Sequence, residues 1–379
     1  MFECWGRASA LFVFVQAAAC DAVIIIDPPF HDGGAPGDGD GPPANGGGQA
    51  AGGTAGIGGA SASSGGSSTG GGGDEGGGPS TGGGSCDADL TLPSGEPTVV
   101  GSGLDRPVGI ALVGEDIYVT QTGSGVSNGA LVRLPKLGGP VEVLASDQRQ
   151  PWAVTADSQY VYWVDRGEGE DGSLHRLSLA DDAVEVLAEK LRYPWGIAAH
   201  GGSLYATELN NNRVIAIGPD KSLSIVTAAF TGLPIAVDDS GVYVGVIGLG
   251  SWNESISRVD TQGNPSVLYE QLAPSDILVM DGDDLFFSES GSLRRGKRDG
   301  SSVVTLADVS MLGRIDAVVA DCFVYFAVQE DTYVGRVPVD GGDVQVLAPS
   351  EALPSAIAVD DDAIYWVNQA SGTVVRLAK

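Results

Sequence analysis

The 379-residue sequence predicts an all-β fold, a seven-bladed β-propeller closed by an N-terminal strand and preceded by a disordered Gly-rich linker. A unit of four short strands with Gly and Asp turns recurs seven times from Glu96 onward. Its aligned aromatic residues are 44, 43, 38, 43, 39 and 40 positions apart, and this region shows no helical periodicity. The aligned residues are Tyr118, Tyr162, Tyr205, Tyr243, Phe286, Tyr325 and Tyr365.

Residues 1–20 have the pattern of an export signal. Arg7 precedes an apolar run, and Ala17–Ala19 supplies the small residues of a cleavage site. Cys20 follows directly, and the segment resembles the lipobox of bacterial lipoproteins, in which the Cys becomes the lipidated first residue. This resemblance implies a protein anchored by lipid to a bacterial membrane, facing the periplasm or the cell surface. Ordinary cleavage after Ala19 would instead give a secreted protein.

Residues 21–95 are expected to form a low-complexity linker. Residues 31–85 are mostly Gly, Ser, Ala, Thr and Pro, which bury too little apolar surface to offset the conformational entropy of ordering. A Gly-rich chain of about 54 residues has a root-mean-square reach of about 40 Å. The chain is therefore divided into a signal segment (1–20), a linker (21–95) and a propeller (96–379).

One strand outside the seven repeats is expected to close the ring. The seventh repeat ends after its third strand, at Lys379, whereas Pro97–Val100 precedes the first repeat and matches the fourth strands in type. Pairing of this strand with the last repeat would remove an exposed sheet edge.

Composition excludes several function classes. Lys+Arg 20 against Asp+Glu 49 gives a net charge of −29, which argues against nucleic acid, because phosphate binding needs clustered Lys and Arg. The three histidines, His31, His175 and His200, are widely spaced, so the sequence indicates neither a His-rich zinc site nor a Ser/His/Asp triad. After the N-terminal segment, no apolar run of about 18 residues predicts a membrane span.

Short motifs carry a resemblance to extracellular propellers. Tyr162–Asp165, Tyr205–Glu208 and Tyr365–Asn368 read YWVD, YATE and YWVN, and they resemble the YWTD motif. Thr207–Val214 resembles an NHL repeat, and the general pattern is similar to the gluconolactonase-like superfamily. The resemblance implies a mainly structural role for the Asp of the YWTD motif. In gluconolactonase-like enzymes, acidic and Asn side chains instead hold a Ca²⁺ ion that polarises a lactone.

Polar side chains lie three positions after five of the seven aligned aromatic residues. Equal register places them at the ends of the second strands, where buried polar groups need hydrogen-bond partners. The alternative interpretation is that these side chains form a ring of oxygen ligands for Ca²⁺, which takes about 6–8 oxygens. Asp165, Glu208 and Glu289 are the candidate metal ligands, and no other cofactor is expected. The full set is Gln121, Asp165, Glu208, Glu289 and Asn368.

Two tryptophans mark a candidate binding sector. Trp152 and Trp195 each follow a Pro at the start of adjacent inner strands, where they would either pack between blades or form a stacking platform for a sugar or a cation. Longer loops at 122–130, 166–173 and 247–255 favour the same sector, because loops on a rigid scaffold often carry function. The expected ligand-binding residues are Trp152, Trp195, Gln121, Asp165, Glu208 and Asn368.

Two further residue types have structural interpretations. Arginines recur on the third strands and should be solvated and paired with acids on the next strand, such as Glu142 or Glu185. Cys86 and Cys322 remain once Cys4 and Cys20 are assigned to the leader and the lipid, and an exported pair favours a disulfide. Two unrelated free cysteines are the alternative. The arginines are Arg133, Arg176, Arg258, Arg295, Arg336 and Arg376.

The function expected from these features is binding. We expect a monomeric, membrane-tethered extracytoplasmic module for a protein or saccharide ligand, with membrane contact through the lipid anchor only. A Ca²⁺-dependent lactonase- or lyase-type enzyme is one alternative, and a structural or adhesive surface protein is the other. Catalysis ranks behind binding because no repeat contains a nucleophile with an adjacent base.

Overall fold

The computed structural model describes residues 91–93, 95–228, 232–246, 254–272, 274–289, 291–309 and 315–379. Twenty-eight strands form seven antiparallel four-stranded sheets. The sheets are the blades of a β-propeller, which confirms the predicted fold. The signal segment, most of the linker, and the predicted lipidation site at Cys20 lie outside the described residues.

Each blade contains strands named A to D from the inside outwards, and β1 (Thr98–Ser102) precedes blade 1. Blade 1 comprises β2 (Pro107–Val113), β3 (Asp116–Gln121), β4 (Gly129–Pro135) and β5 (Glu142–Gln148), and blade 2 comprises β6 (Pro151–Ala156), β7 (Tyr160–Asp165), β8 (Gly172–Ser178) and β9 (Val184–Leu191). Blade 3 comprises β10 (Pro194–His200), β11 (Ser203–Glu208), β12 (Arg213–Ile217) and β13 (Leu223–Thr227). Blade 4 comprises β14 (Gly232–Asp238), β15 (Gly241–Val246), β16 (Ser255–Asp260) and β17 (Pro265–Glu270).

Blades 5 to 7 continue the same order, and a 3-10 turn at Leu209–Asn211 joins β11 to β12. Within the described residues, no helix is long and apolar enough to cross a membrane. The strands are β18 (Pro274–Asp281), β19 (Asp284–Glu289), β20 (Ser292–Lys297) and β21 (Val303–Asp308); β22 (Ile315–Ala320), β23 (Phe323–Val328), β24 (Tyr333–Pro338) and β25 (Gln345–Ala348); and β26 (Pro354–Val359), β27 (Ala363–Asn368) and β28 (Thr373–Ala378).

The N-terminal strand closes the ring. Strand β1 pairs antiparallel with β28, so the last blade has the order β1-β28-β27-β26. The strand runs to Ser102 rather than ending at Val100, because a register shift between Val99 and Gly101 carries the pairing two residues further. A side chain at Gly101 would collide with Leu134 of blade 1. The predicted closure is therefore confirmed, with a longer strand than expected.

The hydrophobic core lies between neighbouring blades. At the junction of blades 7 and 1, Tyr365 and Val367 pack in one cluster with Ile117 and Val119. The B strands are buried along most of their length because both faces of each sheet contact a neighbour. Each inner strand contacts the inner strand of the next blade, and β2 contacts β26, which completes the circle.

The ring has two faces with different connections. The mouth face carries the B–C loops and the D–A connections, and the opposite face carries the A–B and C–D turns. On the opposite face, six ion pairs and one hydrogen bond, between His200 and Asp239, bridge the seven blade junctions. From junction 1–2 to junction 7–1, the pairs are Arg133–Asp182 at 2.9 Å, Lys221–Glu185, His200–Asp239 at 2.9 Å, Arg298–Asp238, Arg295–Asp340 at 2.5 Å, Lys379–Asp321 and Lys136–Asp360 at 2.7 Å.

Two of the six arginines of the third strands pair with an acid on the next strand, as expected. Arg133 pairs with Glu142 at 2.8 Å and Arg176 with Glu185 at 2.6 Å, both within their own blades. The expected pairing is wrong for the others: Arg258 donates to the backbone carbonyl of Ser240 at 2.6 Å, Arg295 pairs with Asp340 of the next blade, and Arg376 donates to the Tyr365 hydroxyl at 3.4 Å. Arg336 is in addition buried rather than solvated. Its guanidinium lies over Phe323 at 3.9 Å and donates to the backbone carbonyl of Thr91 at 2.5 Å, so the segment before β1 covers it.

Cys322 lies in the A–B turn of blade 6 and is disulfide-bonded. The other three cysteines lie outside the described residues, so the pairing with Cys86 stays a prediction. The hydrogen bond from Arg336 to Thr91 brings the chain just after Cys86 to the same blade.

Candidate functional site

The polar residues at the ends of the B strands fasten the D–A connections. Gln121 Oε1 accepts a hydrogen bond from the backbone N–H of Asp105 at 3.0 Å, sixteen residues earlier. Asp165 Oδ2 accepts the equivalent bond from Arg149 at 2.9 Å. The same contact recurs in blade 3, and the repetition across three consecutive blades shows a structural role for this register.

Blades 3 and 7 also fasten the D–A connection to the end of the B strand, but with different side chains. Glu208 is fully buried, accepts from the backbone N–H of Arg192 at 2.7 Å, and forms an ion pair with Arg213. In blade 7 the direction is reversed, because Asn368 Nδ2 donates to Glu351 of the D–A connection at 2.5 Å. Both arrangements hold the connection against its own blade.

The three candidate metal ligands are not brought together. Asp165, Glu208 and Glu289 belong to three blades, and each is bonded within its own blade, Glu289 to Arg294 at 2.7 Å. In the part of the chain that the structure describes, no group of three or more acidic, His or Cys side chains could hold a metal ion. The structure therefore identifies none of the three as a metal ligand.

Trp152 and Trp195 do meet at the mouth face. Their ring centres are 5.3 Å apart and their planes are tilted by 51°. The guanidinium carbon of Arg166 lies 3.0 Å from the ring centre of Trp152 and 3.5 Å from that of Trp195. Tyr193 extends the group, with its ring centre 6.0 Å from that of Trp195. We name Trp152, Arg166, Tyr193 and Trp195 the Arg166 cluster.

The sequence left open whether the two tryptophans pack between blades or form a stacking platform. The Arg166 cluster is not an open platform, and Trp152 packs against the core between blades 2 and 3. A sugar ring stacks on a flat aromatic face, whereas here the two indoles are tilted and a guanidinium lies against both. Arg166 itself is buried, and the three aromatic side chains are partly exposed. The cluster is an aromatic surface built around a fixed cation.

The inner strands that carry the two tryptophans both begin with irregular pairing. Pro151 is opposite Asp165 but Val154 is opposite Trp163, so one extra residue is accommodated at the start of β6. Such a bulge redirects the neighbouring side chain. The same kind of register shift occurs at the equivalent prolines of blades 1 and 7, where the following residues, Val108 and Ser355, are fully buried, so the shift alone does not expose a side chain.

The B–C loop of blade 2, residues 166–171, begins with Arg166 of the cluster. Gly167 and Gly169 have φ values of +62° and +67°, which favour glycine. Asp171 pairs with Arg149 at 3.2 Å, in the connection entering the same blade. Glu170 pairs with Arg192 of the following connection. Exposed charges of both signs therefore surround the aromatic surface.

Sequence reasoning missed Arg166, which lies one position beyond the predicted polar register. The equivalent residues of blades 6 and 7 also reach across a junction, because Gln329 Nε2 donates to Gln369 Oε1 at 2.9 Å. The sequence did contain one indication of Arg166. The equivalent positions are Thr122 in blade 1 and Leu209 in blade 3, so an arginine is unusual at this point of the repeat. The loop of blade 4 at 247–253 lies outside the described residues.

A second buried polar group lies in blade 2. His175 Nε2 is 2.7 Å from Ser173 Oγ and 3.6 Å from Asp165 Oδ2. The imidazole stacks on Trp163, with ring centres 5.0 Å apart and planes within 8°. Asp165 and His175 are 2 % and 8 % exposed. These residues sit on the blade 2 surface that faces blade 1.

No protein-family model matches the chain, and no curated protein matches it. Among solved structures, it is similar to virginiamycin B lyase from Staphylococcus aureus, with 15 % identity over 75 % of this chain and 98 % of that one and a TM-score of 0.60. Hydrazine synthase from Kuenenia stuttgartiensis has 16 % identity over 74 % and 98 % and a TM-score of 0.59. BamB from Moraxella catarrhalis has 15 % identity over 73 % and 86 % and a TM-score of 0.50.

At these identities the similarity shows the fold alone, which the chain shares with these β-propeller structures. The fold is consistent with a binding module and also occurs in an enzyme.

Proposed function

We propose that this chain is an exported, lipid-anchored β-propeller that binds a protein or saccharide ligand at the mouth face of blades 2 and 3, without catalysis. The support is that the Arg166 cluster is larger and more exposed than the packing of the ring requires. Val108 and Ser355 fill the equivalent positions of blades 1 and 7 as small, fully buried residues. Trp, Tyr and Arg are the residue types that dominate binding energy in interfaces.

The charged surroundings of the cluster support the same role. Interfaces commonly combine a central aromatic group with a polar, solvated rim, and the pairs Asp171–Arg149 and Glu170–Arg192 flank the aromatic rings here. A partner can approach this rim with charges of either sign. The −29 net charge of the whole chain disfavours a strongly acidic partner at long range.

The enzyme alternative has weaker support. Three similar structures are virginiamycin B or streptogramin B lyases, one of them a catalytically inactive histidine-to-alanine variant with quinupristin. Among the described histidines of this chain, His175 is buried between blades and His200 lies on the opposite face. Turnover of quinupristin or of a lactone by the purified protein would favour this alternative.

Anchoring is part of the proposal and rests on the sequence. Ala17–Ala19 followed by Cys20 predicts lipidation, and replacement of Cys20 by Ser should move the protein from the membrane fraction to the soluble exported fraction of a bacterial host. Unchanged membrane association of Cys20→Ser would contradict lipid anchoring, and association with the outer envelope without any ligand would favour the adhesive alternative.

A paired array of glycans and peptides tests the binding role. The full chain and its Trp195→Ala variant are each applied to the glycans and to the peptides of the array. The affinity of both proteins for every ligand that binds is then measured by titration. Loss of a central interface tryptophan typically weakens binding about 30-fold. The control is Tyr160→Ala, which removes a partly buried aromatic residue from the opposite end of blade 2. Equal affinity of Trp195→Ala and the unmodified chain for every ligand found would overturn the proposed site.

A further inference from the structure

The A–B turn of blade 6 holds a cysteine in a backbone conformation that favours glycine. Asp321 and Cys322 have φ values of +49° and +67°, a left-handed region that disfavours residues with a Cβ about tenfold. The two-residue A–B turn of blade 3 has glycines at both positions, Gly201 and Gly202, at +58° and +75°. Strained backbone persists where the surrounding structure imposes it. Cys322 is disulfide-bonded, and the bond is such a constraint.

The disulfide ties the N-terminal segment to blade 6. The chain has four cysteines, and Cys4, Cys20 and Cys86 all precede Thr91. Whichever of them is the partner, the bond connects the chain upstream of β1 with the A–B turn of blade 6. Cys86 is the nearest of the three to Thr91 in sequence.

A hydrogen bond holds the same segment at the same blade. Arg336 is 5 % exposed, and its guanidinium donates to the carbonyl oxygen of Thr91. It also donates to Gln345 Oε1 at 2.7 Å and to the Tyr325 hydroxyl at 3.5 Å. Removal of Thr91 would take one acceptor from a buried cation, which is costly. The segment therefore contacts blade 6 before it enters blade 7 as β1.

Strand β1 needs such support because it lies at the edge of its sheet, next to β28. Thr98, Val99 and Ser102 are exposed, and Val100 is only partly buried. Strands with few buried contacts open locally more readily than the rest of a fold. A tether at blade 6 keeps an opened β1 close to β28 and so favours re-formation of its hydrogen bonds.

We propose that a disulfide between Cys86 and Cys322 holds β1 in blade 7, and that reduction of this bond by a dithiol loosens the closing strand. The dithiol gives two electrons and two protons, the S–S bond breaks to leave two thiols, and the dithiol itself becomes a disulfide. Cys322 then keeps its left-handed backbone without the bond that imposes it. This redox-sensitive closure is independent of the proposed ligand site.

Urea unfolding and hydrogen exchange of the full chain, with and without a dithiol, test the closure. Reduction of the unmodified chain should raise the unfolding equilibrium constant about a hundredfold, as is usual for loss of a disulfide. Exchange of the β1 amides should accelerate about tenfold. The exchange control is β5, which is also an edge strand and should not change. Peptide mapping without reductant should recover the Cys86–Cys322 bond.

Two substitutions separate the bond from the backbone strain. Cys86→Ser should behave as the reduced chain does and should no longer respond to the dithiol. Cys322→Gly also loses the bond, but because glycine tolerates the left-handed turn, its unfolding equilibrium constant should be about fivefold lower than that of Cys86→Ser.

Gly202→Cys in blade 3 is the matched control for the strain. A Cβ at Gly202 would meet no described atom within 4 Å, so the substitution adds only the backbone cost. In the presence of the dithiol it should raise the unfolding equilibrium constant about fivefold.

Mapping that pairs Cys322 with Cys4 or Cys20 would overturn the inference, as would β1 exchange that is equal with and without the dithiol. Equal stability of Cys322→Gly and Cys86→Ser would overturn the role of the turn. None of these measurements uses a ligand, so failure of the array experiment would leave them standing.

Discussion

The two faces of the ring hold neighbouring segments together with different chemistry. On the opposite face, six ion pairs and the His200–Asp239 hydrogen bond bridge the seven blade junctions, and most of their carboxylates are substantially exposed to solvent. On the mouth face, buried groups such as Glu208 and Asn368 hold the D–A connections within each blade. Exposed ion pairs contribute little individually, whereas removal of one partner from a buried pair is costly.

This difference between the two faces predicts which substitutions the protein tolerates. A charge on the opposite face can be exchanged with small effect because water replaces its partner. The B-strand ends on the mouth face should have no such tolerance, because Asp165 and Glu208 are buried there and each accepts from a specific backbone N–H. The Arg166 cluster lies on this same face.

The largest effect is expected from the strand that links both faces. Deletion of β1, Thr98–Ser102, should lower the free energy of unfolding by on the order of 5 kcal/mol, because a row of strand hydrogen bonds and the packing of Val100 are lost. The Tm should fall by about 10 °C. Val99→Thr, at an exposed position of the same strand, is the control. Thermal unfolding that is unchanged after the deletion would contradict closure by this strand.

A buried group on the mouth face should rank second. Glu208→Ala leaves Arg213 and the Arg192 N–H without their acceptor, and we expect a loss of about 3 kcal/mol in urea unfolding. A loss below about 1 kcal/mol would show that the buried bonds of this face are no stronger than surface pairs.

An exposed group on the opposite face supplies the direct contrast. Asp182→Ala removes the bridge from Arg133 across junction 1–2, but Arg133 keeps Glu142 at 2.8 Å. We expect a change below about 0.5 kcal/mol in the same urea measurement. A loss comparable to that of Glu208→Ala would remove the distinction between the faces.

The smallest effect concerns the C–D turns of the opposite face. The backbone N–H of Asn264 donates to Asp260 at 2.8 Å, and this bond lowers the pKa of the carboxyl group. A lowered pKa means that the stabilisation is present above the carboxyl pKa of the unfolded chain and is lost as pH falls through the folded value. Carboxyl-detected NMR should therefore show Asp260 titrating below the usual value of about 3.9. Titration at or above that value would contradict the turn geometry.

The repeat and its closure were predictable because both leave a pattern along the sequence. Aromatic residues such as Tyr118 and Tyr162 recur at nearly constant spacing, and strands of one type end each repeat. The extension of β1 to Ser102 was not predictable, since it depends on a register shift and on the space beside Leu134 that Gly101 leaves free.

The site was predictable only in part. The proximity of Trp152 and Trp195 follows from equal register in adjacent blades, and their ring centres lie 5.3 Å apart. Arg166 was missed because a repeat pattern fixes the register of strands but not which loop side chain crosses a junction. Acidic residues at equivalent positions of several blades suggested that they bind one metal ion together. Equivalent positions of different blades lie apart, however, and Glu208 and Glu289 each bind an arginine of their own blade.

Strand β1 has a direction, and that direction decides how the ring is presented. It begins at Thr98 on the face with the C–D turns and ends at Ser102 on the face with the D–A connections. Residues 95–97 therefore enter the ring on the face away from Trp195. The segment that leads into the ring does not cross the aromatic surface, which leaves that side of the ring accessible to a partner.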